Sequence, residues 1–420
     1  MALNYLWIAF FIIGFVVAVI EVIFFGKTTI LSDMMNGMFS SAKSGFEISL
    51  GLTGIMTMWL GIMKVGERAG VIRVFAKFVS PLFRVFFKDI PKGNEAHGNI
   101  VMNLSATMLG LDNAATPLGL KAMSSLQDLN PEKDRASDSQ IMFLVLNTAG
   151  LTLIPTSVIA IRQTIALEQH VTNFNAADIF LPTLIATFIA FISGIIIVSI
   201  YQRINLLKLP FLVFIGGFSA LIWLLQYSLS GLPADKVNSV IGAIGSGIIL
   251  LIIVLFITAG MIKKQNVYDN FIEGAKEGFN VTIRIVPYLV GILIAISVFR
   301  TSGCMDFVIT QISHLVAACG LNTDFVPALP VAFMKPMSGS GARGLMVDVM
   351  RNTPGGVTSF PSKVAAVIQG STETTFYILA VYFGSVQIKN TRYAVVAGLL
   401  ADIIGLIAAI VLSYIFFWHK

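Results

Sequence analysis

Residues 367–386 read VIQGSTETTFYILAVYFGSV. The stretch is apolar enough for a membrane crossing, yet Gln369, Gly370, Ser371, Thr372, Glu373, Thr374 and Thr375 stand together near its start. Glu373 is the one charged residue between 364 and 386. A charge at bilayer depth costs several kcal/mol unless it is paired or hydrated. On a regular helix these polar side chains would cover nearly every face, which lipid does not tolerate. The helix is therefore expected to break here, with Gly370 giving the backbone its freedom. The knot then faces either a solute or ion pathway or a neighbouring helix, where Glu373 would act as a neutral hydrogen-bonding group.

The rest of the chain agrees with a membrane setting. Of 420 residues, 56% are hydrophobic and 12% charged, and the mean hydropathy is +0.85. Soluble domains carry about 25% charged residues. The net charge of +6 needs no nucleic acid, because the basic residues lie between apolar segments as cytoplasmic loops require. Cys304 and Cys319 support neither a disulfide framework nor a metal cluster, and His97, His170, His314 and His419 are scattered. The N-terminal stretch lacks a basic start and a small-residue cleavage site, so it reads as a first membrane helix.

A helix of about 20 residues crosses the hydrocarbon layer. Full spans are expected at roughly 4–25, 46–64, 140–161, 178–201, 209–229, 239–262, 281–299, 364–386 and 393–417, nine in all. Two apolar stretches, 98–123 and 324–350, are too short to cross twice and too long for one leg. Each has a polar interruption, at Asp112–Pro117 and at Lys335–Gly341. Both read as re-entrant hairpins. No ten-residue alternation of an outer-membrane barrel is present.

Internal likeness ties these parts together. SAKSGFEISL (41–50) matches GAKEGFNVTI (274–283), and ERAG (67–70) matches RTSG (300–303). PLGLKAM (117–123) parallels ARGLMVD (342–348), LNTAGLTLIPTS (146–157) parallels IQGSTETTFYIL (368–379), and PTLIATFI (182–189) parallels AGLLADII (397–404). The expected fold is an all-α integral membrane protein of two inverted-topology repeats, each with a re-entrant helical hairpin and a broken transmembrane helix. The halves are 1–205 and 239–420, joined by 206–238 with one extra span that turns the second half over. A cytoplasmic N-terminus and an outside C-terminus place Arg68, Arg73, Lys77, Arg84, Lys263 and Lys264 inside, and fewer charges, among them Arg162, Arg300, Lys335 and Arg343, outside. The basic amphipathic segment 67–90 lies on the cytoplasmic interface, as scaffold, lipid contact or homo-oligomer surface.

The candidate binding residues fall in four places. In the second broken span they are Gln369, Ser371, Thr372, Glu373, Thr374 and Thr375. In the first they are Asn147, Thr148 and Thr152, where Pro155 cannot donate to the carbonyl of Leu151; this is either a cation or solute site or an ordinary kink satisfied by threonine hydroxyls. At the first hairpin tip they are Asp112, Asn113 and Thr116, with Thr116 read as N-cap and Pro117 as first helical residue. At the second they are Ser338 and Ser340 as caps and Arg343 in the first turn. Two helix N-termini and an arginine favour an anionic or acceptor-rich solute, unless Arg343 serves Glu373 or Asp348. Glu21 and Asp402 are intramembrane carboxylates with either a structural or a functional part, which for Asp402 would be a proton path.

These motifs resemble a known group. GLDNAATPLGLKAM (110–123) and LNTAGLTLIPTSVIAIR (146–162) are similar to the spore maturation protein A family; IEGAKEGF (272–279), VPYLVGILIAISVFRTSG (286–303) and IQGSTETTFYILAVYFG (368–384) are similar to the spore maturation protein B family. Both belong to the nucleoside-recognition (Gate) group, shared with concentrative nucleoside transporters and the membrane part of ferrous iron transporter B. The resemblance implies a multi-pass inner-membrane protein that moves a solute or ion. With no GTPase domain and no Cys or His cluster on the pathway, ferrous iron is not the expected cargo.

The function expected is secondary transport of a small polar or anionic solute, nucleoside-like or a carboxylate, with Na⁺ or H⁺ as coupling ion, no metal or cofactor, and the bilayer as partner. A passive channel or gate, or a non-transporting membrane organiser, are the rivals. No Walker A, H-E-x-x-H or G-x-S-x-G pattern occurs, so an enzyme is not expected.

Overall fold

The computed structural model describes residues 2–91, 93–229 and 234–418; side chains at 2–3, 112–114, 225–226, 228–239 and 241 lie outside that description. Seventeen α-helices fill it. In order they are α1 (Ala2–Phe25), α2 (Ile30–Arg68), α3 (Val71–Phe86), α4 (Glu95–Met108), α5 (Asp112–Asp128), α6 (Asp138–Thr148), α7 (Thr156–Glu168), α8 (Phe180–Gln202) and α9 (Leu209–Leu229). There follow α10 (Ala234–Ile262), α11 (Val267–Thr301), α12 (Cys304–Ala318), α13 (Leu329–Met334), α14 (Gly339–Asn352), α15 (Phe360–Ser371), α16 (Thr375–Ser385) and α17 (Ala394–Phe417). Among the described residues there is no strand beyond one isolated bridge between Arg135 and Asn390.

Among the described residues seven segments are long and apolar enough to cross a membrane: Asn4–Phe25, Ile30–Arg68, Ala176–Gln202, Gly242–Ile262, Val267–Thr301, Phe360–Ser385 and Ala394–Phe417. Their surfaces fit lipid. Ile23, Phe24 and Phe25 on α1 are 67%, 76% and 69% exposed, which water would penalise. This is a multi-pass membrane protein. Two of the nine expected spans are not in the set. Residues 140–161 divide into α6 and α7, of 11 and 13 residues, each about 20 Å or less. α9 itself has 21 residues, about 30 Å, but several of its side chains past Leu224 are outside the described residues, so the expected span 209–229 lies partly outside them. Conversely, the expected spans 46–64 and 281–299 are the cores of longer helices. α2 has 39 residues and α11 has 35, because their polar flanks contain nothing that ends a helix.

Both anticipated breaks are present. Between α6 and α7 the chain is non-helical over 149–155, and between α15 and α16 over 372–374. A capping box at Ser137 and Gln140 starts α6. The first unwound stretch is braced by the Leu153 amide donating to the Met108 carbonyl at 2.9 Å. The order of elements over α1–α8 returns over α10–α17, with α9 between. Glycines with positive φ, Gly70 at 80° and Gly303 at 82°, open α3 and α12 respectively, a conformation that side-chain-bearing residues resist.

Two compact units make up the chain, and each draws on both sequence halves. The first holds 1–60, 157–174 and 275–369; the second holds 61–156, 175–274 and 370–420. Each thus contains one helical hairpin (α13–α14 or α4–α5), the leading leg of the broken helix that follows it, and the trailing leg of the other broken helix. The apolar core of the second unit runs through Phe83, Phe86, Ile100, Leu104, Phe143, Phe191 and Tyr382. There α8 and α17 approach closely through small residues: a Cβ on Gly405 would lie 2.8 Å from that of Ala190, the close backbone contact that membrane helices use.

Candidate functional site

In the second unit the two interruptions meet. The amide of Glu373, in the second break, donates to the carbonyl of Thr148, the last residue of α6, at 2.9 Å. A backbone donor left without a helical partner is thereby satisfied by an acceptor at a helix end, which is how unwound backbone persists at bilayer depth. Gly150 sits in the angle: a Cβ there would lie 3.1 Å from the Asn147 carbonyl oxygen, 3.4 Å from Thr107 Cγ2 and 3.5 Å from Glu373 Cγ.

Around this junction is a cavity of about 190 Å³ lined by Thr107, Ala115, Thr116, Asn147, Glu373, Tyr377, Ile378, Val381 and Tyr382. Each liquid water occupies about 30 Å³, so the space equals roughly six waters. Asn147 donates its amide nitrogen to the Phe143 carbonyl at 2.9 Å; its oxygen is the group left to serve a guest. Thr107 donates to the Asn103 carbonyl at 3.2 Å. Glu373 is half-buried and brings the carboxylate. Behind the wall, buried Asn103 donates to the Ala115 carbonyl at 2.8 Å and reaches Tyr382 Oη at 3.4 Å.

A second, larger cavity of about 830 Å³ lies in the same unit. Its lining includes Arg68, Arg73, Lys77 and Lys263 against the single acid Glu67, with Ile72, Val74, Met102, Pro117 and Leu118. Thr116 and Pro117, adjacent in α5, belong to the small and the large cavity respectively. Arg68 is held by Glu273 at 2.7 Å.

Of the residues singled out from sequence, Thr116, Asn147 and Glu373 share the small cavity. Thr148, Ser371, Thr372, Thr374 and Thr375 are buried beside the junction, and Thr152 is half-buried in the first break, but none of them lines it. The side chains of Asp112 and Asn113 lie outside the described residues. Thr116 is not an N-cap. α5 begins at Asp112 with Leu111 in the cap position, because Gly110, at φ 71°, already makes the turn. Pro117 is consequently inside the helix.

The remaining candidates belong to the first unit. Ser338 caps α14, accepting from the Gly341 amide at 3.0 Å, and Ser340 bonds to the Ser338 hydroxyl at 3.2 Å. Arg343 follows just past the first turn. Asp348 is bonded by Arg300, whose Nε lies 3.1 Å from Oδ1. Gln369 gives its carbonyl to Lys335 Nζ at 2.8 Å, and Lys335 is 4% exposed. Lys335 and Arg162, both assigned from sequence to the outer side of the membrane, have buried side chains; Arg162 is 0% exposed and lies 5.0 Å from the Phe174 ring centroid.

Sequence reasoning did not single out Thr107, Tyr377, Tyr382 and Lys335. Tyr377 follows Glu373 by four residues, one helical turn, whereas Tyr382, nine residues on, has no such spacing, and both are hidden in an aromatic-rich span. Among the described residues no group of three or more His, Cys, Asp or Glu is placed to hold a metal ion.

An all-helical multi-pass membrane protein with two interrupted helices and a polar cavity at their junction is the class so defined. The chain belongs to the Gate (nucleoside recognition) family, which it matches over residues 49–164 and 282–389, more than half its length. It is 41% identical over 178 residues to spore maturation protein B of Bacillus subtilis (strain 168), covering 42% of this chain and 97% of that protein. It is also 39% identical over 194 residues to spore maturation protein A of the same organism, covering 46% of this chain and 92% of that one. One chain thus carries likeness to both.

Proposed function

We propose that this protein is a secondary transporter of a small polar or anionic solute, coupled to Na⁺ or H⁺, working by alternating access and needing no cofactor or enzymatic step. The observation that carries the reading is the cavity at which Asn147, Glu373 and Thr116, from two interrupted helices and a hairpin, come together. Broken helices around a polar site are the recurring device of secondary transporters. Glu373 accepts a proton or binds a polar group, Asn147 and Thr116 hold the solute, and the basic lining of the large cavity raises the local concentration of anions. At about 190 Å³ the small cavity is below the roughly 300 Å³ floor of drug-sized pockets. That favours a small carboxylate over a nucleoside as the occupant.

The architecture belonging to this reading is two inverted repeats, 1–205 and 239–420, with α4–α5 and α13–α14 as re-entrant hairpins. The returning element order and the odd helix α9 between the halves support it. So does the capped start of α14 at Ser338. The protein resides in the inner membrane with its N-terminus cytoplasmic and its C-terminus outside, as the distribution of basic residues favours.

Proteoliposomes decide the matter. A panel of labelled carboxylates and nucleosides is offered, and saturable counterflow of at least one is expected. Glu373→Gln and Asn147→Ala each lower it about tenfold, the cost of losing a contact of ~1.4 kcal/mol. Unsaturable conductance instead points to a channel. If both variants restore every phenotype of a null mutant, the protein is an organiser and the transport reading fails.

A further inference from the structure

α2 ends at Arg68, and the membrane span of α10 ends at Ile262 with Lys263 next in the chain. Arg68 and Lys263 both line the cavity of about 830 Å³. The cavity therefore lies where two apolar spans give way to charge, at the depth of lipid headgroups. α3 supplies a further wall. It buries Ile72, Ala76, Val79 and Phe83 and keeps another face open. There Arg73 and Lys77 stand one turn apart, beside Val74 and Phe78, which are 69% and 83% exposed. Cations interleaved with bare apolar side chains are the composition of a helix that lies against lipid. The last turn of α10 repeats the pattern, with Met261 and Ile262 exposed directly before Lys263.

The charges around this cavity do not balance. Glu67 is answered by Lys64 at 3.4 Å and Arg68 by Glu273 at 2.7 Å. Arg73, Lys77 and Lys263 have no ion pair or side-chain hydrogen bond among the described residues. Three cations around one concavity repel one another unless an anion sits between them. Much of the remaining lining is apolar, through Ile72, Met102, Pro117 and Leu118. A fitting occupant brings negative charge and hydrocarbon together. We propose that the cavity holds an acidic phospholipid, its phosphate among Arg73, Lys77 and Lys263 and its acyl chains leaving past Val74 and Phe78. The arginine fork matches a phosphate bidentately, and the lysines add point charges. A free phosphate would leave the apolar lining unused. A zwitterionic lipid would bring a further cation to three that are already unpaired. These three exceed the charge of one phosphodiester, so a headgroup with two phosphates binds more tightly than one with a single phosphate. The binding does not rest on the transport reading. In vesicles of zwitterionic lipid the three charges are left to steer a solute; an acidic lipid answers them instead, and only that consequence belongs to transport.

The test is thermal unfolding of the purified full chain in uncharged detergent micelles. Phosphatidylcholine, phosphatidylglycerol, cardiolipin and inorganic phosphate are titrated separately at constant ionic strength. A saturable rise in Tm is expected with the two acidic lipids, at lower concentration for cardiolipin, and native mass spectrometry finds the lipid retained on the chain. Arg73→Gln, Lys77→Gln and Lys263→Gln each raise half-saturation about fivefold, and about a hundredfold in combination. Lys121→Gln, Lys208→Gln and Lys389→Gln together, at exposed positions of the same unit outside the cavity, leave it unchanged. Val74→Ser with Phe78→Ser also raises it. If the cavity triple variant fails to fold, the single variants decide. Three results overturn the proposal: equal stabilisation by phosphatidylcholine, equal loss in the two triple variants, or a response to acidic lipid that the cavity variants do not move. Inorganic phosphate reaching the same plateau, with Val74→Ser and Phe78→Ser silent, makes the site one for a soluble anion and removes the lipid. A chain that binds acidic lipid yet shows no counterflow of any solute removes the transport reading alone.

Discussion

His97 shows how one side chain reports on local packing. It joins α4 to α3, its Nε2 lying 3.3 Å from the Ser80 hydroxyl and accepting from Arg84 Nε at 3.4 Å. Burial first, and then the Arg84 guanidinium, hold its pKa below the ordinary value of 6.5. The folded form therefore resists a proton that the unfolded chain takes up. The contribution is fully present above the ordinary value and is lost as pH falls from there through the lowered folded value. Lowering pH from about 7.5 to about 5.5 is expected to reduce Tm more in the wild type than in His97→Gln, read by intrinsic fluorescence. Equal slopes would show that the α3–α4 contact does not depend on the neutral ring. Asp348 is a stronger case. It is 6% exposed and answers Arg300, so Asp348→Ala leaves the part-buried guanidinium with only the looser contact to exposed Asp306, at 3.8 Å. Breaking a fully buried pair from one side costs about 3 kcal/mol; with Asp306 still near, a smaller fall in Tm is expected, measured against Asp348→Ala paired with Arg300→Met.

At the scale of elements, the two hairpins separate what sequence could reveal from what it could not. Ser338 followed by GSG reads as a cap and is one: Ser338→Ala is expected to cost about 1 kcal/mol. Thr116 followed by Pro117 carries the same signature, yet α5 has already begun at Asp112. Thr116→Ala should therefore cost almost nothing in stability, since alanine suits a helix interior better. Thermal unfolding of the two variants side by side distinguishes a cap from an interior residue. The cap rule is local, and it lost to Gly110, whose positive φ places the turn earlier. The breaks at 149–155 and 372–374 were legible because polar knots, Gly150, Pro155 and Gly370 conflict with a lipid-facing helix on any arrangement. The length of α2 and α11 was not, because hydropathy marks where a helix is greasy and not where it ends. The depth of Lys335 and Arg162 was not legible either. Charge asymmetry sorts segments between two sides, whereas burial of one long side chain depends on neighbours such as Gln369 and Phe174, brought close only by the fold. The bond between Thr375 and Asp402, 27 residues apart, belongs to the same category.

The net charge of +6 and the composition of the large cavity turn a compositional fact into a kinetic one for the whole molecule. Arg68 is neutralised by Glu273, so the field within the cavity comes chiefly from Arg73, Lys77 and Lys263. Charges lining a low-dielectric concavity focus field lines and raise the encounter rate of an opposite charge by about 10- to 1,000-fold. They act over a Debye length of about 10 Å at 0.1 M salt and about 3 Å at 1 M. Steering changes arrival and not the contacts made after arrival. Arg73→Glu with Lys77→Glu is accordingly expected to lower the initial uptake of an anionic solute about tenfold at low salt. The half-saturating concentration rises while the maximal rate stays within about twofold, as for a loss confined to encounter. The deficit closes as salt approaches about 1 M. A neutral solute of similar size, measured in the same vesicles, is unaffected. A deficit that persists at high salt, or that lowers the maximal rate for both solutes, would place these residues in the scaffold around α3 and remove the argument that the cargo carries negative charge.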